Sequence, residues 1–117
     1  MMREIKFRGK RVDNGEWVYG SLLNDSDGIP KEIWFYKERL ISYISVHPET
    51  VGQYTGLKDK NGVDIYEDDM DKDDYMCTYS LAECCYIFVT EKGMGGFYKL
   101  NFRSAKEIEV TGNIHDK

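Results

Sequence analysis

No apolar run in this chain approaches the roughly 20 residues that a helix needs to cross a bilayer. The opening MMREIKFRGK carries charge with no apolar stretch behind it, so it does not read as a secretory signal. Histidine is scarce: His47 and His115 stand alone. Cys77, Cys84 and Cys85 lack the C-x₂-C spacing of a zinc site, and three cysteines make no disulfide framework. They read instead as free thiols, with at least Cys84 or Cys85 buried in the apolar stretch CCYIFVT. A Cys–His nucleophile pair has no local support. No dinucleotide fingerprint or P-loop is present, and GMGG at 93–96 lacks the helix and lysine that phosphate binding needs. Positive charge is outweighed, 16 Lys and Arg against 21 Asp and Glu, which disfavours a general polyanion binder. The expectation is a cytoplasmic chain with no membrane anchor, no cofactor, no metal and no evident small-molecule substrate.

What the chain does have is alternation. Ile5 and Phe7 alternate with Lys6 and Arg8, the period of a half-buried strand. Asn14-Gly15 is a strong hairpin signal, after which WVYGSLL should pair back, with Trp17, Tyr19 and Leu23 on one face. KEIWFYK and LISYISV follow as strands, the second ended by Pro48. Residues 50–55, VDIY, YMCTYSLAE, CCYIFVTE, GGFYKLNF and KEIEVTGNI complete a mainly β pattern. The last strands but one read as hairpin arms around Gly93, Gly95 and Gly96. One short helical turn is expected at SLAECC, with Ser80 as cap and Glu83 at capping-box spacing.

The stretch VGQYTGLKDKNGVDIYEDDM, residues 51–70, admits several chemistries. Setting Gly62 as the sixth position of a calcium loop puts Asp59, Asn61 and Asp68 at ligand positions. The first position then falls on Leu57, which has no ligand oxygen. A tight turn at Asp59–Gly62, with Asn61-Gly62 supplying positive φ, explains every residue without an ion. The acid run EDDMDKDD, residues 67–74, could hold a divalent cation or an acid/base pair. Mutual repulsion favours a different expectation: Asp68 to Asp74 as an exposed, poorly ordered segment at the junction between an N-terminal sheet and a C-terminal barrel.

The same stretch resembles the signature of the YopX family, small proteins encoded by bacteriophages and prophages. The matching residues are Gln53, Tyr54, Thr55, Gly56, Leu57, Asp59, Asn61, Gly62, Ile65, Tyr66, Glu67 and Asp69. MREIKFRGK at the start and IEVTGNIHD at 108–116 are similar to the family's ends. Two positions depart from the pattern: Asp68 stands where the family has Gly, and Asp71 where it has Val. Asp at positive φ costs roughly 1 kcal/mol, and an unpaired buried Asp71 would cost more. The resemblance implies a mainly β fold, with an N-terminal antiparallel sheet over residues 1–50 and an SH3-like small barrel over 51–117. It implies no catalytic residues.

Arg3, Lys6, Arg8, Lys10 and Arg11 form a basic segment beside Phe7 and Trp17, a combination that can hold single-stranded nucleic acid. The acidic balance favours reading them as the polar face of a strand whose Phe7 and Trp17 enter the core. The expected role is a non-catalytic interaction or assembly module with a protein partner or a second copy of itself. A nucleic-acid accessory factor is the alternative, and a small metal-dependent hydrolase the more distant one.

Overall fold

The computed structural model describes residues 4–90 and 95–116. The chain is mainly β and divides into two compact units, Met1–Tyr54 and Thr55–Lys117. Among the described residues no helix is long and apolar enough to cross a membrane.

The first unit is built from β1 (Phe7–Lys10), β2 (Trp17–Asn24), β3 (Pro30–Lys37) and β4 (Leu40–Ser45), then a 3-10 turn at Pro48–Thr50 and the start of β5 (Gly52–Lys58). The strands are antiparallel in the order β4-β3-β2-β1-β5. The expected Asn14-Gly15 hairpin joins β1 to β2, with Gly15 at φ 73 and its N–H donated to Arg11 O at 2.9 Å. The β3–β4 turn is tighter. Glu38 and Arg39 both take positive φ, 52 and 69, where Asn and Gly are usual, at about 1–2 kcal/mol each. β2 changes partner at Gly20, pairing β1 before it and β3 after it. A Cβ there would lie 2.1 Å from the Trp34 carbonyl oxygen, so only glycine fits. Beyond β4 the chain folds back on the end of β1 through an Arg11–Val46 bridge and a Val12 N–H to Ser45 O bond of 3.0 Å.

The second unit holds the rest of β5, then β6 (Asp64–Tyr66), β7 (Asp69–Asp71), β8 (Met76–Ser80), β9 (Cys85–Thr90), β10 (Gly96–Lys99), α1 (Phe102–Ala105) and β11 (Val110–Asn113). Its five-stranded sheet runs β10-β9-β8-β7-β11. Ile65, Cys77, Phe88, Leu100, Ala105 and Ile108 close one core, and Phe88 stacks on Tyr98 at 5.4 Å. The β9–β10 hairpin forms as expected, although Gly93 lies outside the described residues.

Several expectations need correction. The acid run is not a disordered junction: it lies inside the second unit, Asp69–Asp71 is a strand between β8 and β11, and Asp69 and Asp71 are buried. Only Lys72, Asp73 and Asp74 are exposed, at the β7–β8 turn. Repulsion loses because each buried carboxylate faces backbone N–H donors rather than its neighbours. Within SLAECC the four residues 81–84 form a hairpin turn between the paired Ser80 and Cys85, not a helix, although Ser80 Oγ does accept the Glu83 N–H at 3.1 Å. Cys84, at φ 55 in that turn, is exposed, and Cys85 is half-buried. None of the three cysteines is in a disulfide, as expected, but the buried one is Cys77. The helix is α1, unforeseen, with Asn101 and Ser104 forming a capping box at the end of the GGFYKLNF strand reading and in the gap before KEIEVTGNI.

Candidate functional site

The basic segment is largely spent on its own unit. Lys6 Nζ sits 4.7 Å from the Tyr54 ring centroid, and Arg8 Cζ sits 4.4 Å from that of Trp17. Lys10 approaches the same Trp17 at 5.4 Å, while Arg8 is buried and Trp17 half-buried. Cross-strand register explains this: Arg8 faces Tyr19, and Lys10 faces Trp17. Each contact contributes about 0.5–1 kcal/mol and turns the cation toward a ring. Arg11 forms a forked pair with Asp13 at 2.9 and 2.8 Å. That hydrogen bond holds the Asp13 carboxyl below its usual range and raises Arg11. Arg3 lies outside the described residues.

A different surface stands out on the same unit. In β3 and β4 the pairs Glu32–Ser45, Trp34–Tyr43 and Tyr36–Ile41 share one face, continued on β2 by Ser21 and Leu23. That face is solvent-exposed, with Tyr36 at 79%, Ile41 at 61% and Tyr43 at 60%. Trp34 stacks on Tyr43 at 5.0 Å and donates its indole N–H to Glu32. The opposite parity holds Ile33, fully buried, and the half-buried Leu22, Phe35 and Ile44. An open groove of about 600 Å³ is lined by residues that include Leu22, Leu23, Trp34, Phe35, Tyr36 and Ile41. Alternation alone finds these residues but not which parity is covered. Trp17 and Tyr19 sit with the basic residues, whereas Leu23 lies beyond the partner change at Gly20.

The signature residues of the middle stretch are structural. Gln53 pairs with Phe7 across β1 and β5, and Tyr54 is buried beneath Lys6. Thr55 Oγ1 accepts the Leu57 N–H, Gly56 takes φ 90, and Leu57 packs on the core of the second unit. Asp59 to Gly62 is the expected tight turn, with the Gly62 N–H on Asp59 O and Gly62 at φ 79. Asp59 Oδ1 accepts the N–H groups of Asn61 and Val63, and Oδ2 accepts Val110 N–H at 2.9 Å. Its oxygens therefore serve the backbone. Tyr66 is buried, and its N–H is held by Asp69 Oδ2 at 2.8 Å.

Asp71 repeats the Asp59 arrangement. Its Oδ1 accepts the N–H of Asp73 and Tyr75, and its Oδ2 accepts the Tyr98 hydroxyl at 2.7 Å. Burial, then the bond to Asp71, pushes the Tyr98 phenol far up. Asp25 forms a third copy, accepting the N–H of Asp27 and Ile29. The fourth residue in each turn has positive φ: Gly28 at 78, Gly62 at 79 and Asp74 at 63. Asp68, also at φ 72, is tied to His115 Nε2 at 2.9 Å, so His115 is not isolated. Among the described residues no group of three His, Cys, Asp or Glu could hold a metal ion. A cleft of about 330 Å³ beside Asp71, Asp73, Glu107 and Glu109 has Asp71 already bonded to Tyr98.

The family model described as YopX protein matches residues 6–117. No curated protein matches the chain.

Proposed function

The chain belongs to the YopX family, and from that premise we propose that it is a non-catalytic interaction or assembly module whose contact surface is the outer face of β2, β3 and β4. The observation that carries this is the exposure of Leu23, Trp34, Tyr36, Ile41 and Tyr43 on one face. Monomeric proteins seldom leave a contiguous apolar patch of this kind uncovered, and aromatic anchors dominate protein interfaces. The cations that a nucleic-acid reading would use, Lys6, Arg8 and Lys10, lie against rings or are buried, so a protein partner is favoured over an oligonucleotide. The family resemblance supports a phage or prophage origin, and an SH3-like small barrel as the form of the C-terminal unit. The free thiols fit a bacterial cytoplasm.

Capture from a host lysate tests the reading, using wild-type chain beside Tyr36→Ser/Tyr43→Ser. Specific capture that the double variant loses is the expected result. Capture identical for both chains, together with tight binding of a labelled single-stranded oligonucleotide, would move the site to the basic segment.

A further inference from the structure

β4 is an end strand of its sheet, and nothing in its sequence blunts it. Leu40–Ser45, LISYIS, contains no charge and no proline, and its ladder with β3 runs without a bulge over six pairs. Natural edge strands are normally protected by such devices. The Val12 N–H to Ser45 O bond shows which way the β4 backbone faces. Ser45 O points away from β3, so by the period of two the N–H and C=O groups of Tyr43 and Ile41 point away as well. Val46 alternates correctly, donating its N–H to Lys31 O on the β3 side. The open part of the edge is therefore centred on Ser42, and Ser45 O is already occupied.

We infer that this edge joins two copies of the chain, β4 against β4 and antiparallel, about a two-fold axis at Ser42. This rests on the interaction reading above and names its partner. In that register Ile41 exchanges N–H and C=O bonds with the partner's Tyr43, and Tyr43 does the same with the partner's Ile41. A register centred on Tyr43 would need Ser45, whose carbonyl Val12 already holds. The Ser42 register brings no like charges together, because β4 is neutral. It also makes one continuous apolar row on the outer face: Tyr36 and Ile41, then the partner's Tyr43 and the partner's Trp34. Leu40 meets the partner's Ile44 on the other face.

Of the exposed side chains, Leu40, Ile41 and Tyr43 lie on β4 itself, at 70%, 61% and 60%, and edge pairing gives each an apolar neighbour on the second copy, while Leu23, Trp34 and Tyr36 stay on the outer face of β2 and β3.

Sedimentation across about 1–100 μM gives the first readout. A species of twice 13.7 kDa is expected, with dimerisation at least tenfold weaker in Ile41→Lys, whose exposed position leaves the fold intact by circular dichroism. The second readout is register. In a Cys84→Ser/Cys85→Ser background, Ser42→Cys places two sulfurs at a non-hydrogen-bonded pair with Cα atoms about 4.5 Å apart, within disulfide reach. Mild oxidation should link it into a dimer, whereas Tyr36→Cys should stay largely unlinked. A chain that is monomeric at every concentration overturns the inference, as does a dimer indifferent to Ile41→Lys. In either case a host protein captured through Tyr36 and Tyr43 would leave the interaction reading standing. Failure of that capture as well would remove both.

Discussion

The two units solve the burial problem differently. The second gathers Ile65, Cys77, Phe88, Leu100, Ala105 and Ile108 into one closed core. The first buries Ile33, Val46 and Tyr54 but leaves Tyr19, Leu23, Trp34, Tyr36, Leu40, Ile41 and Tyr43 exposed. Charge divides the other way. Residues 1–54 hold eight basic and eight acidic side chains; residues 55–117 hold eight and thirteen, and so carry the whole net charge of -5. Acidity and a complete core coexist in the second unit because its buried aspartates are acceptors for backbone N–H groups, a use of charge that organises turns rather than repelling neighbours. The second unit also leaves Leu81 and Phe102 exposed, but the run of exposed aromatic and aliphatic side chains on one sheet face, Leu23, Trp34, Tyr36, Ile41 and Tyr43, belongs to the neutral unit.

The largest blow to this contrast should come from Phe88→Ala. It empties the centre of the closed core and should cost about 3–5 kcal/mol in urea unfolding. Gly20→Ala follows, in the first unit. Its Cβ would meet the Trp34 carbonyl at 2.1 Å, and the strand displacement required should cost about 1–3 kcal/mol. If Gly20→Ala is silent, the partner change in β2 is not tightly held.

The aspartate turns sharpen the comparison. Asp59→Ala strips acceptors from Asn61, Val63 and Val110 and should cost about 2–3 kcal/mol. Asp25→Ala, the same turn in exposed form in the first unit, should cost under about 1 kcal/mol because water replaces the carboxylate. Equal effects would show that burial is not what separates them. The smallest effect concerns pH. The Tyr98 phenol titrates higher in the folded chain than in the unfolded one. Its contribution is therefore fully present below the ordinary tyrosine value of about 10 and falls as pH rises above it. Thermal melts from pH 9 to 11 should show that decline flattened in Tyr98→Phe.

How much of this was legible follows the range of the forces involved. Strand alternation and Asn-Gly turns are local, so β1, β2 and the Asp59–Gly62 turn could be read directly. The turn at Asp71-Lys-Asp-Asp has the spacing of Asp59-Lys-Asn-Gly, yet an Asp in place of the fourth-position Gly hid it among like charges. Asn101 and Ser104 at capping-box spacing were a readable sign of α1, masked by the aromatic strand before them. The bonds of Asp68 to His115 and of Asp71 to Tyr98 span 47 and 27 residues, and nothing local announces them. The exposed face of β3 and β4 was legible as a parity and not as a surface, since a period of two does not say which side is covered.

The bond from Asp59 Oδ2 to Val110 N–H spans 51 residues, and β11 lies beside β7. During synthesis the first unit can form from neighbouring hairpins once β5 begins to emerge, whereas the second must wait for Val110 before its sheet is complete. For that interval a finished β4 edge is carried on a nascent chain whose other half is still open. Copies made side by side on one message would expose that edge to one another before the rest of either chain has folded.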